Sequence, residues 1–265
     1  MKVERKAGLF WQEKKRGITI NSQCYIGHVR RCPQVEIEVP VCLGENAEIE
    51  TPFVGMGTFI GRETKIRRTW EIGRFVTIGE RCVIGAACPR PSGEISTSYP
   101  VLEKDLSWYK DFLSIQKSWG KKEKRSYVRI GNDVYVGEGT ILSEGIQVRD
   151  GAFIFPGSCV QEDVPAYGIV RGNPAVIMGF RFTEKQIQVL EKIRWWESGV
   201  NLLNRENPQE DTLDNLFLKL VEEKQKVKRL EKGEQSFLFL HENGLAKIYR
   251  CHNGGRQLVR CLPTT

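Results

Sequence analysis

An aliphatic residue recurs at every sixth position along two stretches of the chain, 54–84 and 130–160. The two runs are Val54, Ile60, Ile66, Ile72, Ile78 and Ile84, then Ile130, Val136, Leu142, Val148, Ile154 and Val160. A period of six fits neither the 3.6-residue turn of an α-helix nor the two-residue alternation of a simple strand, so it indicates a repeat architecture. Hexapeptide repeats wind into a parallel β-helix, in which each short strand supplies one inward aliphatic residue and small residues allow the corners. The pattern therefore predicts a mostly β protein built on such a coil.

Before residue 54 the same period is present but irregular. Its positions are Ile20, Ile26, Val39, Val41, Leu43 and Ile49, with an interruption over 30–33. We interpret them as early, imperfect turns of the coil. Residues 1–17 are charged and irregular, and we expect them to cover the open end, because a solenoid needs a cap.

A long loop interrupts the repeat between its two regular runs. The spacing from Ile84 to Ile130 is 46 residues, which is not a multiple of six, so residues 89–127 must leave the coil. This excursion carries Tyr99, Trp108, Tyr109, Phe112 and Trp119. Long loops inside a compact domain are usually functional or disordered, and five aromatics favour function. The alternative is that these aromatics only pack the loop onto the coil.

The chain changes character after the second run. Residues 161–182 predict a Pro-containing turn and a short extended segment that end the coil. A helix is predicted from Thr183, which with Gln186 forms a capping box, and Ile187, Leu190 and Ile193 share one face. A second helix is predicted over 212–228.

The last thirty residues predict strands. SFLFLHENGLAKIYRC contains two strands about an Asn-Gly turn at Asn243, and RQLVRCL predicts a possible third. The expected organisation is thus a coil domain over 1–182 and a segment over 183–265 with helices and a small terminal β-hairpin.

Composition limits the function. Lys and Arg number 40 against 33 Asp and Glu, a net charge of +7, which suits an anionic small molecule and is modest for a nucleic-acid binder. The basic run KKEKR at 121–125 is interrupted by Glu123 and is typical of a solvated loop. The N-terminus lacks the apolar run of a signal peptide, and no window approaches the ~18 apolar residues that span a bilayer. We expect a cytoplasmic protein that inserts into no membrane and binds no nucleic acid.

The eight cysteines predict neither a metal site nor a disulfide framework. They form no CxxC pair, and no His stands at metal-ligand spacing. Buried small thiols in a reducing compartment are the expected alternative. We therefore expect no metal.

Three motifs resemble the left-handed β-helix acyltransferases, and most of all their xenobiotic and streptogramin acetyltransferase branch. These motifs are IGNDV at 130–134, GNPA at 172–175 and the double Trp at 195–196, and the resemblance covers roughly residues 54–225. It implies a left-handed coil, a trimer about a threefold axis, acyl-CoA in a groove between subunits, and an acceptor held by the excursion. The family includes sugar N- and O-acyltransferases of surface polysaccharide biosynthesis.

The chain departs from this family at its catalytic histidine. The family's HP segment precedes a Ser-Thr pair, whereas this chain has Arg90 and Pro91 ahead of Ser96 and Thr97. The three histidines lie outside the regular repeats and the excursion, at His28, His241 and His252. Beside the vacant position stand Glu94 and Ser96, which become the candidate catalytic residues.

The resemblance also implies where the ligands bind. The candidates for the acceptor are Arg90, Tyr99, Trp108 and Tyr109. The candidates for the CoA co-substrate are Tyr135, Gly137, Gly139, Thr140, Gly157, Ser158, Arg171 and Arg181. Among these, N–H groups around Gly137, Gly139 and Gly157 are expected to bind the oxyanion and the pantetheine arm, and Arg171 and Arg181 the CoA phosphates. The family often has Lys after GNPA, whereas this chain has Val176.

The missing histidine bears on the choice of acceptor. A general base contributes ~10²–10⁴-fold, while positioning two reactants can supply effective molarities of ~10⁵–10⁸ M. A hydroxyl needs help to lose its proton, but an amine with a pKa of about 8 is partly neutral and nucleophilic near neutral pH. The sequence thus favours an acyl-CoA-dependent N-acyltransferase of a nucleotide-linked amino sugar. The alternatives are an O-acetyltransferase of a sugar or antibiotic and a catalytically silent β-helix that only binds.

Overall fold

The structure, a computed structural model, describes residues 12–13, 18–20, 24–27, 32–87, 126–198, 221, 235–242, 245–252 and 255–263. In these ranges the strands before the excursion are β1 Gln12–Glu13, β2 Ile18–Ile20, β3 Tyr25–Ile26, β4 Gln34–Glu38, β5 Val41–Leu43, β6 Glu48–Ile49, β7 Phe53–Val54, β8 Phe59–Ile60, β9 Lys65–Ile66, β10 Thr69–Ile72, β11 Thr77–Ile78 and β12 Val83–Ala86. Those after it are β13 Val128–Ile130, β14 Tyr135–Val136, β15 Ile141–Ser143, β16 Gln147–Val148, β17 Phe153–Ile154, β18 Cys159–Val160, β19 Gly168–Gly172 and β20 Ala175–Phe180. The terminal strands are β21 Gln235–Glu242, β22 Leu245–His252 and β23 Gly255–Pro263.

From β4 to β18 the strands take three sheets in rotation, so that the chain forms a three-sided coil. Sheet 1 has the order β16-β13-β10-β7-β4-β21-β22-β23, sheet 2 the order β1-β2-β5-β8-β11-β14-β17-β19-β20, and sheet 3 the order β18-β15-β12-β9-β6-β3. Within the coil, strands of successive turns pair in parallel, as Ile60 with Ile78 and Ile78 with Val136 in sheet 2. The predicted fold class, a left-handed parallel β-helix, is confirmed.

The core is the column of aliphatic residues that the sixfold period predicts. All twelve are at most 2% exposed. Burial of each such side chain stabilises the fold by about 1.5–3 kcal/mol. This gain explains why an aliphatic residue occupies every sixth position of the two runs. In the early turns Val35 and Ile37 are fully buried, whereas Val39 precedes a cis Pro40 in a turn and is only half-buried. The prediction of Val39 as a repeat position is therefore wrong, because that position serves the turn.

The predicted helix is confirmed as α1, Glu184–Ile193, with Thr183 as N-cap and the capping box present. A 3₁₀ turn follows at Trp195–Glu197. Trp195 packs on Phe75 of the coil, with ring centroids 4.7 Å apart, and Trp196 is 1% exposed. The double Trp therefore anchors this segment to the coil. The helix predicted over 212–228 falls almost entirely outside the described residues.

The terminal strands are also confirmed, including the third. β21, β22 and β23 form an antiparallel meander, and β21 pairs antiparallel with β4, so the meander extends sheet 1. Phe237, Phe239 and Ile248 join the core of the coil. With the exception of residue 87, the described residues belong to one compact unit. The boundary at 182/183 stays a prediction.

Among the described residues, no helix combines the length and apolar character needed to cross a bilayer.

Candidate active site

One column of residues at the corner between sheets 2 and 3 changes from polar side chains to glycine. In successive turns this column is occupied by Asn46, Glu63, Arg81, Gly139 and Gly157, all with φ between 53° and 69°. The first three show that the left-handed backbone does not require glycine at this column, although it is costly for most residues. A Cβ on Gly139 or Gly157 would meet no atom of the described chain within 4 Å. These two glycines therefore leave a bare stretch of backbone next to open space.

Below this bare stretch the same corner carries charged side chains. Arg62 Nε donates to Glu80 Oε2 at 2.6 Å, and Arg81 pairs with Glu138 in the following turn. Exposed pairs of this kind contribute about 0–1 kcal/mol each, so their value for stability is small. What they show is that the corner is filled by long side chains up to Glu138 and is bare above it.

Gly137 has a different reason to be glycine. A Cβ there would lie 2.3 Å from the backbone nitrogen of Pro156 in the next turn. Real Cβ contacts are never so short, so this glycine allows two turns of the coil to stack. Its role is in the packing of the corner.

The N–H groups of the three corner glycines are occupied. Those of Gly137, Gly139 and Gly157 donate to main-chain carbonyl oxygens of neighbouring turns at 2.8–2.9 Å. A donor used in the coil is not available to an oxyanion without breaking that bond. The N–H groups of these three glycines themselves are thus used within the coil, Gly139 and Gly157 offer space beside them, and the expected binding of an oxyanion by N–H groups around them stays a prediction.

Two other predicted cofactor residues point into the coil. Thr140 and Ser158 are 0% and 1% exposed. The Thr140 hydroxyl donates to the carbonyl oxygen of Phe155 at 3.3 Å, and the Ser158 hydroxyl donates to the same oxygen at 2.7 Å. Their side chains satisfy backbone groups inside the corner, so a side-chain contact with a cofactor is corrected to this structural role.

Beside the bare corner an aromatic row lies on the outer face of sheet 2. Tyr135 stacks on Phe153 with centroids 4.6 Å apart, and Phe153 meets Phe155 edge to face at 5.2 Å. The exposed Arg171 guanidinium lies 5.6 Å from the Phe155 centroid. We call Gly139, Gly157, Phe155 and Arg171 the corner lane. Two glycines without neighbouring atoms, an exposed aromatic ring beside them and a cation at one end suit a long thin molecule with an anionic group.

Arg181 is engaged elsewhere, at the corner between sheets 1 and 2. Its Nη1 donates to Asp133 Oδ2 at 3.1 Å and to the carbonyl oxygen of Gly151 at 2.7 Å. It also lies over the rings of Tyr167 and Phe182, 5.7 and 5.3 Å from their centroids. Burial raises the pKa of the Asp133 carboxyl, and Arg181 partly counters that shift. The structure therefore does not bring Arg181 together with Arg171, and it holds the exposed Arg181 in a cluster with Asp133, Tyr167 and Phe182 at the other corner.

The predicted catalytic and acceptor-binding residues lie outside the described residues. They are Arg90, Glu94, Ser96, Tyr99, Trp108 and Tyr109. His28 also lies outside them, whereas His241 and His252 fall in β21 and β22 of the terminal meander. In the part of the chain that the structure describes, no group of three His, Cys, Asp or Glu side chains is placed to hold a metal ion.

Sequence reasoning missed Phe153 and Phe155 as part of the site. Both occupy outward positions of the hexads that form β17 and the following corner. An outward aromatic carries no periodic signal, because the period records only the buried column. Only the stacking of successive turns shows that Tyr135, Phe153 and Phe155 form one row.

Comparison with curated proteins finds acetyltransferases. No family model matches the chain. A probable macrolide acetyltransferase of Lysinibacillus sphaericus is 34% identical over 100 residues, which are 38% of this chain and 53% of that protein. A chloramphenicol acetyltransferase of Agrobacterium fabrum is 45% identical over 67 residues, 25% of this chain and 32% of its own length. The chain thus spans about a third to a half of these relatives.

A solved structure gives a weaker likeness. A variant of AntD, an N-acyltransferase from Bacillus cereus in complex with dTDP-4-amino-4,6-dideoxyglucose and coenzyme A, has a TM-score of 0.45 and 15% identity, over 68% of this chain and 89% of that chain. Similarity of this size carries no argument about function. The hexapeptide period and the three-sided parallel coil show a left-handed parallel β-helix, and the matched parts of the chain are similar in sequence to curated acetyltransferases.

Proposed function

We propose that this protein is an acyl-CoA-dependent N-acyltransferase that acts on the amino group of a nucleotide-linked amino sugar. The observation that carries the proposal is the corner lane. Its glycines stand where earlier turns have Asn46, Glu63 and Arg81 in the same backbone conformation, so the missing side chains serve the surface and not the fold. Close approach of a ligand to the backbone is a use for which glycine is suited.

The corner lane matches the shape and charge of CoA. The pantetheine arm is long, thin and largely apolar, and it would lie along Gly139 and Gly157. The aromatic row supplies apolar surface beside it, and Arg171 supplies a cation for a phosphate. Acetyl-CoA or another acyl-CoA is thus the expected co-substrate, and the proposal involves no metal.

The acceptor follows from the position of the histidines. None of the three falls in a regular repeat or in the excursion, so a histidine base at the family's usual position is missing. In the proposed reaction the neutral amine attacks the thioester carbonyl carbon, the C–S bond breaks, and the thiolate of CoA leaves. The nitrogen gives up one proton and the thiolate takes one up, so the reaction needs no net acid or base. Glu94 and Ser96 remain the candidates for passing that proton.

A second candidate is transfer to an antibiotic, and the names of the curated relatives favour it. They are described as macrolide and chloramphenicol acetyltransferases. An acceptor hydroxyl in such a molecule would have to lose its proton during attack, which makes a general base more valuable than for an amine. The lack of histidine in the regular repeats and the excursion is the reason why the amine acceptor is preferred.

We further propose that the protein is a cytoplasmic homotrimer. β20 closes sheet 2 as an edge strand, and its Val176, Ile177, Met178 and Phe180 are 51–62% exposed. Contiguous exposed apolar residues of this kind mark interaction surfaces. A closed cyclic trimer would cover them in every subunit.

The test is mass spectrometry of the products after incubation of the purified protein with a panel of nucleotide amino sugars and acyl-CoAs. The proposal predicts an acylated amino sugar and an equal amount of free CoA. Acylation of antibiotics alone would support the second candidate. Binding of CoA without turnover of any acceptor in either panel would favour a silent binding protein.

A further inference from the structure

Two β-bulges flank the point where the chain leaves the coil. Between β10 and β13, Thr69 pairs with Val128 and Glu71 with Arg129, so that Trp70 is the extra residue. Between β12 and β15, Ile84 pairs with Leu142 and Ala86 with Ser143, so that Gly85 is the extra residue. Bulges re-aim side chains and are frequent next to active sites.

The bulge at Trp70 is built firmly into the coil. The hydroxyl of the buried Thr69 donates to the carbonyl oxygen of Arg67 at 3.0 Å, and Val128 N–H donates to that of Arg68 at 2.8 Å. Arg68 Nη1 also donates to Glu144 Oε2 at 2.6 Å, which joins turns on either side of the excursion. The backbone that leads into the extra residue is therefore held by the coil.

What this bulge presents is an aromatic corner with a cation. Trp70 and Tyr127 are 50% and 48% exposed. Their rings meet at 73° with centroids 6.4 Å apart, and Arg129 Cζ lies 5.9 Å from the Trp70 centroid. A planar ring can stack on one aromatic while its edge meets the other. We call Trp70, Tyr127 and Arg129 the aromatic platform.

We propose that the aromatic platform binds the base of the nucleotide-linked acceptor, with Trp70 stacking on the base and Arg129 facing the phosphates. The inference rests on the proposed function in taking the base to belong to the acceptor. Base–aromatic stacking needs a flat exposed ring, and a phosphate needs a positive charge nearby. The platform supplies both from one face of sheet 1.

CoA also carries a base and phosphates, so it has to be decided whether the base on the aromatic platform belongs to the acceptor or to CoA. The corner lane lies at the corner between sheets 2 and 3, whereas the platform lies on the outer face of sheet 1. Tyr127 is moreover the last residue of the excursion, the segment expected to hold the acceptor. Both points favour the acceptor's nucleotide.

The test compares Trp70→Ala, Trp70→Phe and Arg129→Gln with the unchanged protein in calorimetric titrations. The probes are thymidine diphosphate and uridine diphosphate for the acceptor's nucleotide, and adenosine 3′,5′-bisphosphate for CoA. Phe59→Ala is the matched control, because Phe59 is 43% exposed on a strand of sheet 2 outside both sites. Circular dichroism melting checks that each variant is folded.

Trp70→Ala is expected to weaken pyrimidine diphosphate binding about 5- to 150-fold, the loss of one base–aromatic stack, while Trp70→Phe recovers most of it. Arg129→Gln should weaken the diphosphates more than the free nucleosides. Binding of the adenosine bisphosphate should stay within twofold of the unchanged protein. Phe59→Ala should change none of these values.

Three results would overturn the proposal. The first is that no pyrimidine diphosphate binds at millimolar concentration. The second is that Trp70→Ala has an unchanged affinity for the diphosphates, and the third is that it loses only its binding of the adenosine bisphosphate.

Enzyme kinetics separate this proposal from the proposed function itself. If amino sugars are acylated but Trp70→Ala leaves the acceptor KM unchanged, the platform is wrong and the function stands. If Trp70→Ala abolishes diphosphate binding but no acceptor is acylated, the platform stands and the function is wrong.

Discussion

Replacing Gly157 by Asn tests whether the corner lane is kept bare for a ligand. Asn46 occupies the same column with φ 57°, so the coil accepts Asn in this conformation. A Cβ at Gly157 meets no described atom within 4 Å, so the first atom of the new side chain has room in the described part of the chain. The substitution therefore fills the lane without disturbing the corner.

The effect on stability is expected to be small. A left-handed backbone costs an ordinary residue about 1–2 kcal/mol, and less for Asn. Removing a glycine from the unfolded chain returns roughly 0.4–1 kcal/mol. The free energy of unfolding should thus stay within about 1 kcal/mol, measured by denaturant titration.

The effect on CoA binding is expected to be large. Side-chain atoms forced into a packed contact cost about 1–3 kcal/mol, which is roughly a 5- to 150-fold increase in the Kd of CoA in calorimetry. Glu63→Asn is the matched control, because it places Asn in the same column three turns earlier and should leave the Kd unchanged. If Gly157→Asn is folded and binds CoA as tightly as the unchanged protein, the corner lane is not the CoA site.

Three further predictions concern stability, pH and mechanism. Arg74→Met should lower the free energy of unfolding by about 3–5 kcal/mol, because the buried Glu38, which Arg74 Nε meets at 2.7 Å, loses its guanidinium partner; adding Glu38→Gln should restore part of it in denaturant titration, and an equal loss in both variants would contradict this. Burial raises the pKa of Cys32 from 9.0 to about 11, so stability present below pH 9 should fall by roughly 2–3 kcal/mol as the pH rises through 11, and Cys32→Ala should not show this fall. Glu94→Gln and Ser96→Ala should each reduce kcat by a factor well under the ~10²–10⁴-fold that removal of a general base would cause. A thousandfold loss of kcat with unchanged binding would identify a true base.

The fold could be predicted because one physical requirement repeats. Each turn must bury one aliphatic residue per side, so the sixfold spacing makes Ile60, Ile78 and Val136 recognisable in the sequence. All three are fully buried. The Asn-Gly turn likewise predicts β21 and β22. The sequence does not predict that β21 pairs with β4. The pattern of a strand indicates which side chains share a face, but it does not indicate which other strand pairs with it.

The candidate site could be predicted only in part. Gly139 and Gly157 can be recognised in the sequence as corner glycines. Their role follows from the presence of Arg81 in the same column, and no local sequence pattern shows that these residues share a column. The family resemblance predicts Thr140 as a cofactor residue, whereas its hydroxyl points inward to a carbonyl oxygen. Trp70 was missed because the bulge that re-aims it is a property of the pairing with β13.

The central claim is tested most directly with two nucleotide sugars that differ only in an amino or a hydroxyl group at one carbon. Equal amounts are incubated with the protein and acetyl-CoA across a pH series, and products are separated by mass spectrometry. We expect the amine to be acetylated selectively, with a rate that rises with pH and levels off at the pKa of the free amine. Acetylation of the hydroxyl sugar at an equal or higher rate would contradict a substrate-assisted N-acyltransferase.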